Sequence, residues 1–351
     1  MKAVVLYRNG PPDVFVHEER PDPVPGIGEV LVRVGAVGVP YHDIVERNGT
    51  LRPGQGLPKI MGNEIAGTVV ARGPGTGRLS PGDRVCAAGF HVCGQCRFCR
   101  TGRETACPER RVVSGGYAEL AAIPEAALVP IPDNVDFASA CMLGSSTAVA
   151  LGALRDRARL RLGETLLVTG ASGGVGLSLV QIGKLLGARV IGVTRSAGKA
   201  EAIREAGADE VVVMDGTGDF SRAVRDLTGG NGVDVVGDSV GSRVFWPAFR
   251  SLDSYGRYLV IGQLSGERVE LNPAHILFKS AEILGVTNAR RDQLVDTVDL
   301  VAKGTIRPRI AAVLGLADIA KAHAMVEAGT MIGRVVLDPE LAIRWAGFRL
   351  N

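Results

Sequence analysis

Thr165-Leu-Leu-Val-Thr169 runs into Gly170-Ala-Ser-Gly-Gly-Val-Gly176, and an apolar-periodic stretch leads on to Arg189-Val-Ile-Gly-Val-Thr194. The run before the turn predicts a buried strand. Val175, Leu179, Ile182 and Leu186 then recur at helical spacing, and Gly187 suits a helix C-cap. Arg189–Thr194 is the next strand. Strand, glycine turn, helix and strand make the βαβ unit that takes a dinucleotide. The core of the turn, Ala171-x-Gly173-x-x-Gly176, has alanine in place of the usual first glycine. Glycines let backbone amides approach a pyrophosphate, and the helix N-terminus adds positive potential. Ala171, Ser172, Gly173, Gly174, Val175 and Gly176 are the expected phosphate cradle.

Cofactor choice is read at the end of the second strand, where an acid would favour unphosphorylated ribose. This chain has Thr194-Arg195-Ser196 there, with Lys199 one turn on. A guanidinium, a hydroxyl and an ammonium suit a 2′-phosphate, which an acid would repel. NADPH is therefore expected, with Ile261 and Gly262 completing the cofactor set. The plainer reading of Arg195 and Lys199 is a solvated surface.

Outward from this unit, a helix at Gly198–Glu205 and strands at Glu210–Met214, Val233–Gly237 and Arg257–Ile261 continue the alternation of a parallel sheet. Ahead of it lie β-type runs at Lys2–Leu6, Glu29–Val37, Glu64–Ala71, Arg84–Ala88 and Tyr117–Ile123. Turns such as Pro25-Gly-Ile-Gly28 and Pro81-Gly-Asp83 separate them, which predicts a mostly β domain. Ile332–Leu337 reads as a final strand returning to that domain. A chain of 351 residues exceeds one ordinary core. The expected division is 1–132 for the β domain, 133–270 for the nucleotide domain, and 271–351 for its completion and the return. Trp345 and Phe348 make the C-terminal stretch apolar enough to pack on its own domain or a neighbour.

Composition is that of a globular protein, with 46% apolar and 22% charged residues and a formal net charge of +3. No basic block or basic-aromatic stripe supports nucleic-acid binding. No apolar run reaches about 18 residues, so no membrane helix is expected. The N-terminus enters a strand-like run rather than a signal-peptide layout. A reducing cytoplasm fits these features.

Four of the six cysteines fall in Cys93-Gly-Gln-Cys96-Arg-Phe-Cys99 and Cys107. Thiolates at this spacing close a tetrahedral Zn²⁺ site with no position open for a substrate. One structural zinc is expected; disulfides fit the two-residue gaps less well. Cys86 and Cys141 make no local motif. Arg103, Arg110 and Arg111 flank Cys107 and form either a solvated face or a contact for an acidic substrate such as a CoA phosphate.

Together these motifs resemble the medium-chain dehydrogenase/reductase superfamily of zinc alcohol dehydrogenases and quinone oxidoreductases. The resemblance runs from Met1 to about Pro339. It is carried by Gly38-Val39, Asp43, Gly62-x-Glu64, Pro81-Gly-Asp-Arg-Val85, the cysteine lobe, Thr147, the Gly170–Gly176 turn, Asp238-Ser-Val-Gly241 and Gly333-Arg-Val-Val336. It implies an α/β fold: a GroES-like β domain plus a Rossmann domain with a doubly wound parallel sheet. It also implies a homodimer or homotetramer.

The departures bear on chemistry. Catalytic zinc in this superfamily is held by a residue after the Gly-Val pair, by the His of a Gly-His-Glu motif, and by a Cys or Asp before the usual threonine. Here those places read Pro40, Asn63 and the stretch Leu143-Gly-Ser-Ser-Thr147. Without a Lewis acid, ketone–alcohol exchange loses its main electrostatic support. A conjugated acceptor demands less, because charge delocalises onto a carbonyl oxygen that hydrogen bonds can hold. The expected function is NADPH-dependent reduction of an activated double bond, an enone or enoyl thioester, without a catalytic metal. Tyr41-x-Asp43 and the glycine turn are also similar to acryloyl-CoA-type reductases. A quinone or carbonyl reductase and a non-catalytic NADPH-binding protein are the alternatives.

Tyr41 and His42 are the acid candidates. The resemblance puts them in the loop facing the nicotinamide, with His42 at the place of a proton-relaying Ser or Thr. Asn63 and Glu64 line the vacated metal site, and Asn63 can donate to a substrate oxygen. Thr147 is expected beside the nicotinamide ring. A rearranged metal site from His42, Glu64 and Cys141 is the competing arrangement. His17, His91, His275 and His323 read as surface or packing residues.

Overall fold

In the computed structural model, residues 1–50, 54 and 56–341 are described; the expectation for Trp345 and Phe348 lies outside them. The chain divides into two compact units, Met1–Ala148 with the chain from Asn288 onward, and Val149–Thr287. Residues 133–148, grouped by sequence with the nucleotide domain, belong to the first unit. The reason is local: Phe137–Cys141 packs on the strands Glu29–Val39 and Glu64–Arg72.

The second unit is built on a six-stranded parallel sheet. Its spatial order is Glu210–Val213, Arg189–Thr194, Thr165–Thr169, Val233–Asp238, Leu252–Val260, Glu282–Gly285. Thr165–Thr169 is central, and the strand order reverses beside it. That reversal is where open α/β sheets leave a crevice for a ligand. Leu167, Ile191, Val193, Val233 and Val236 are buried together, as strands covered on both faces require. Each such side chain contributes roughly 1.5–3 kcal/mol of burial. The helix Gly174–Leu185 follows the turn and buries Leu177, Leu179, Val180 and Ile182; Gly187 is left-handed at φ 80°.

In the first unit, Glu29–Val39 is the hub of a seven-stranded sheet. It pairs antiparallel with Glu64–Arg72, with Leu120–Pro124 and with the late strand Arg334–Asp338. The C-terminal return is thus a sheet pairing, Val335 opposite Val39 and Leu337 opposite Val37. A smaller antiparallel sheet joins Lys2–Leu6 to Phe15–Glu19 and Lys59–Ile60.

A continuous helical run, Phe137–Arg157, is 21 residues long, with a mean hydropathy of 1.5 in its most apolar window. Sequence inspection passed over it because Ser139, Ser145, Ser146 and Thr147 interrupt the apolar residues. It is long and apolar enough to cross a membrane, yet 78% of that window is buried inside the protein. By burial it is a core helix.

The short helix Tyr41–Arg47, which carries Tyr41 and His42, is pinned from behind. Tyr117 donates to Asp43 Oδ2 at 2.5 Å and lies 3.2 Å from His323 Nε2. Phe15 packs edge-on against both rings. Arg47, 1% exposed, donates to the Gly10 carbonyl and pairs with Glu327 at 2.9 Å. Burial raises Asp43 and Tyr117 well above their ordinary values, and it lowers His323, with help from Arg47, from 6.5 to about 3. His323 was read from sequence as an isolated surface or packing residue; it is fully buried and hydrogen-bonded. Its folded pKa lies below its unfolded one, so its contribution is present above pH 6.5 and lost as pH falls from there towards 3. Urea midpoints measured across that window should fall with pH in the wild type, and His323→Phe should flatten the fall.

Candidate active site and zinc lobe

The cysteine lobe is a loop closed at its base by a two-stranded pairing of Phe90–His91 with Arg111–Val112. This brings Cys107 back beside Cys93. Sulfur separations are 3.9 Å for Cys93 and Cys99, 3.5 Å for Cys96 and Cys99, and 3.6 Å for Cys107 and Cys93. A tetrahedron with Zn–S bonds of about 2.3 Å has edges of about 3.8 Å. All four ligand atoms lie within 4.8 Å of one another, so the donor set fits a four-thiolate zinc. The separations also exclude disulfides, which hold sulfurs at about 2.05 Å. A hydrogen bond from the Cys99 amide helps draw the Cys96 thiol down to about 7, whereas burial pushes Cys99 up to about 12. Arg103, Arg110 and Arg111 are exposed; Arg110 donates to the Thr105 carbonyl and lies over the Phe90 ring.

Where the resemblance puts a catalytic zinc, the donor set does not fit one. Pro40 is buried at the head of the helix Tyr41–Arg47. Asn63 is half-buried, and its Oδ1 is buried without a partner. Leu143–Thr147 is a π-helical turn, a local widening common at functional sites. Among the described residues, the four lobe cysteines are the one group of three or more His, Cys, Asp or Glu with ligand atoms this close. His42, Glu64 and Cys141 are not gathered: His42 is exposed, and the Cys141 thiol donates to the Ala138 carbonyl. Burial and the neighbouring Glu64 charge raise that thiol well above its usual range.

What does converge is a different set. Gly38 stands opposite Glu64 in the antiparallel register, so the end of one strand lies beside the start of the other. Glu64 Oε1 accepts from the Arg334 guanidinium at 3.0 Å and from the Ser145 hydroxyl. Tyr41 is half-buried against the core of the unit, His42 is exposed, and Thr147 is fully buried. Sequence reading missed Ser145 and gave Arg334 no role, although it lies in the quoted Gly333-Arg-Val-Val336. A basic residue in an otherwise apolar strand was the available signal.

In the second unit the glycine turn has the shape that the fingerprint requires. A Cβ on Gly176 would stand 2.1 Å from the Gly170 carbonyl oxygen, so only glycine lets helix and strand come this close. Gly173 caps the helix without a side-chain bond, leaving the first amides of the helix clear of side-chain caps. Ala171 is fully buried, and its amide donates to the Val193 carbonyl. Ser172, Gly173 and Val175 are half-buried, Gly174 and Gly176 buried. At the adjacent strand ends, Asp238 accepts from Thr169 Oγ1 at 2.5 Å, from Tyr258 at 2.7 Å, and from the amides of Val240 and Gly241. The amides of Ile261 and Gly262 donate to its carbonyl, which fixes the edge of the crevice. Thr194 is buried; Arg195 and Ser196 are exposed. Burial and the nearby Arg195 charge both lower Lys199. Two cations of like charge at the second strand's end suit an anion there.

Comparison with known proteins identifies the class. A family model described as alcohol dehydrogenase GroES-like domain matches residues 26–133, and one described as zinc-binding dehydrogenase matches residues 174–303. An acryloyl-coenzyme A reductase of Sulfurisphaera tokodaii is 33% identical, over 97% of this chain and 100% of that protein. The crystal structure of AibC superposes with a TM-score of 0.89 at 42% identity, covering 96% of this chain and 95% of that one. Mycobacterial Rv1454c complexed with NADPH superposes at 0.82 with 30% identity, covering 97% of this chain and 100% of that one. The chain belongs to the medium-chain dehydrogenase/reductase superfamily, with a GroES-like and a Rossmann-type unit, and is an oxidoreductase.

The lobe should hold one zinc per chain after exhaustive desalting, measured by metal analysis. Cys107→Ser should lower that content to well below one and reduce the thermal midpoint, since the loop loses its clasp.

Proposed function

We propose that this oxidoreductase is an NADPH-dependent reductase of activated double bonds, enones or enoyl thioesters, working without a catalytic metal and carrying one structural zinc on Cys93, Cys96, Cys99 and Cys107. The observation that carries the reading is the donor set at the expected zinc place: Pro40, Asn63 and Leu143–Thr147 supply no ligand, while the nucleotide turn keeps its glycines. The acryloyl-coenzyme A reductase and the NADPH complex among the relatives support the acceptor class and the cofactor.

When bound, NADPH supplies the hydride that goes to the β-carbon of the acceptor. The protein's work is to hold the cofactor and to stabilise the charge that moves onto the carbonyl oxygen. Amides at Ser172 and Gly174–Gly176 cradle the pyrophosphate, and Arg195 with Lys199 receives the 2′-phosphate, Thr194 and Ser196 adding hydroxyls. Ile261 and Gly262 border the same crevice, and Thr147 supports the nicotinamide end. Asn63 donates its amide to the developing oxyanion, and Tyr41 and His42 are the acid candidates.

Steady-state NADPH oxidation on matched acceptors tests the reading. Conjugated enones and enoyl thioesters should give kcat/KM at least about 100-fold above that for the corresponding saturated ketones, the size of one oxyanion donor's effect. Preference for ketones or quinones would overturn the acceptor class, and NADPH binding with no turnover on any acceptor would make the protein a nucleotide binder. Arg195→Gln should weaken NADPH binding about 10-fold or more while leaving NADH within about two-fold, as loss of a charge-assisted hydrogen bond requires.

A further inference from the structure

Tyr41 and His42 are the acid candidates read from the sequence; a further candidate donor of the proton that the α-carbon takes lies beside the vacated metal place. The strongest unexplained feature near the vacated metal place is the carboxyl of Glu64. It is 1% exposed, and Arg334 beside it is 8% exposed. Arg334 and Ser145 both meet Oε1, and Oε2 has no hydrogen-bond partner. Oε2 lies over the α-carbon of Gly38, where a Cβ would stand 1.9 Å away, so glycine on the neighbouring strand makes its room. A buried ion pair adds little net stability over packed apolar residues, which leaves its presence here to be explained by use.

Ser145 supplies the use. It is half-buried, and its hydroxyl donates to the sealed carboxyl. It stands in the π-helical turn two residues before Thr147. We propose that Ser145 is the acid that protonates the α-carbon, with Glu64 behind it as the proton reservoir and Arg334 as the counter-charge; this rests on the reading of the site as a reductase of conjugated acceptors. Burial favours the neutral acid of Glu64, and Arg334 and Ser145 favour its anion. Burial is the larger effect, so the carboxyl lies above its ordinary value. Asp43, Tyr117 and Cys141 also feel the Glu64 charge, and burial favours the neutral form of each.

The step balances as follows. Hydride arrival at the β-carbon leaves an enolate. A C–H bond forms at the α-carbon as the Ser145 O–H bond breaks, and Ser145 takes a proton from the Glu64 carboxyl. The carboxylate so formed is neutralised by Arg334 and is recharged from water through Ser145 once product leaves. One hydride and one proton are added across the double bond; the nicotinamide is oxidised and the alkene reduced.

The test uses the full-length protein with NADPH and an α-methyl enoyl-CoA, whose product has a stereocentre at the protonated carbon. Ser145→Ala should lower kcat about 100-fold, the usual weight of a general acid, with NADPH affinity unchanged. The remaining product should lose its single configuration, because water delivers the proton to either face. Ser145→Thr, which keeps the hydroxyl, should restore both rate and configuration. Glu64→Gln should lower kcat with KM for the acceptor unchanged; an unaltered kcat would remove Glu64 from the relay. Ser145→Ala with kcat within about two-fold of wild type and the same product configuration would overturn the proposal while leaving the reductase reading intact. Failure of wild-type protein to reduce any conjugated acceptor would overturn the reading and the proposal with it.

Discussion

The pairing of Arg334 with Glu64 ties the ends of the first unit together. Arg334 opens the strand Arg334–Asp338, which must travel almost the whole length of the chain to lie beside Glu29–Val39. Glu64 opens the strand on the other side of that hub. A carboxylate and a guanidinium taken out of water cost several kcal/mol each unless they meet. Their meeting therefore enforces a register that aligns three strands at one end, and at that end sit Pro40, Asn63 and the helix bearing Tyr41 and His42. Had both partners been apolar, the sheet could still form, but no polar pair would stand at this end; with only one apolar, the other would be a buried charge without its partner.

Several features follow from that alignment. Gly38 must be glycine because the Glu64 carboxyl occupies the space of its side chain. The π-helical turn at Leu143–Thr147 brings Ser145 to the carboxyl, where a regular α-helix would rotate it away. Behind the helix Tyr41–Arg47, the Asp43–Tyr117–His323 hydrogen bonds and the buried Arg47 hold its backbone from the far side. The candidate site is thus bordered by two buried polar groupings, Glu64 with Arg334 and Ser145, and Asp43 with Tyr117 and His323.

The cysteine lobe and the nucleotide turn are of a different kind. Each is a local object: four ligands inside fifteen residues, or a strand, a turn and a helix in direct succession. Their geometry is enforced by nearest neighbours, and for that reason both were legible in the chain. Cys93 to Cys107 converge because one loop closes on itself, and Gly176 is needed because Gly170 lies only six residues behind it. Strand limits at Lys2–Leu6, Thr165–Thr169 and Arg189–Thr194 were equally readable, since apolar runs bounded by turn residues mark them. The helical run Phe137–Arg157 was not, because small polar residues hide its burial from an inspection for continuous apolar residues.

By itself the sequence determined the α/β class, the glycine turn, the cysteine cluster with zinc-ligand spacing, and the residues Pro40, Asn63 and Leu143–Thr147 at the places where the superfamily's zinc enzymes carry ligands. All of these depend on residue identity at short, countable spacings. Only the tertiary structure decided that Ser145 and Arg334 meet Glu64, and that His323 packs against Tyr117 as a buried residue. Those contacts join residues 81, 270 and 206 positions apart. No spacing rule covers such distances, because the long-range strand pairing and helix packing that create them are properties of the folded chain.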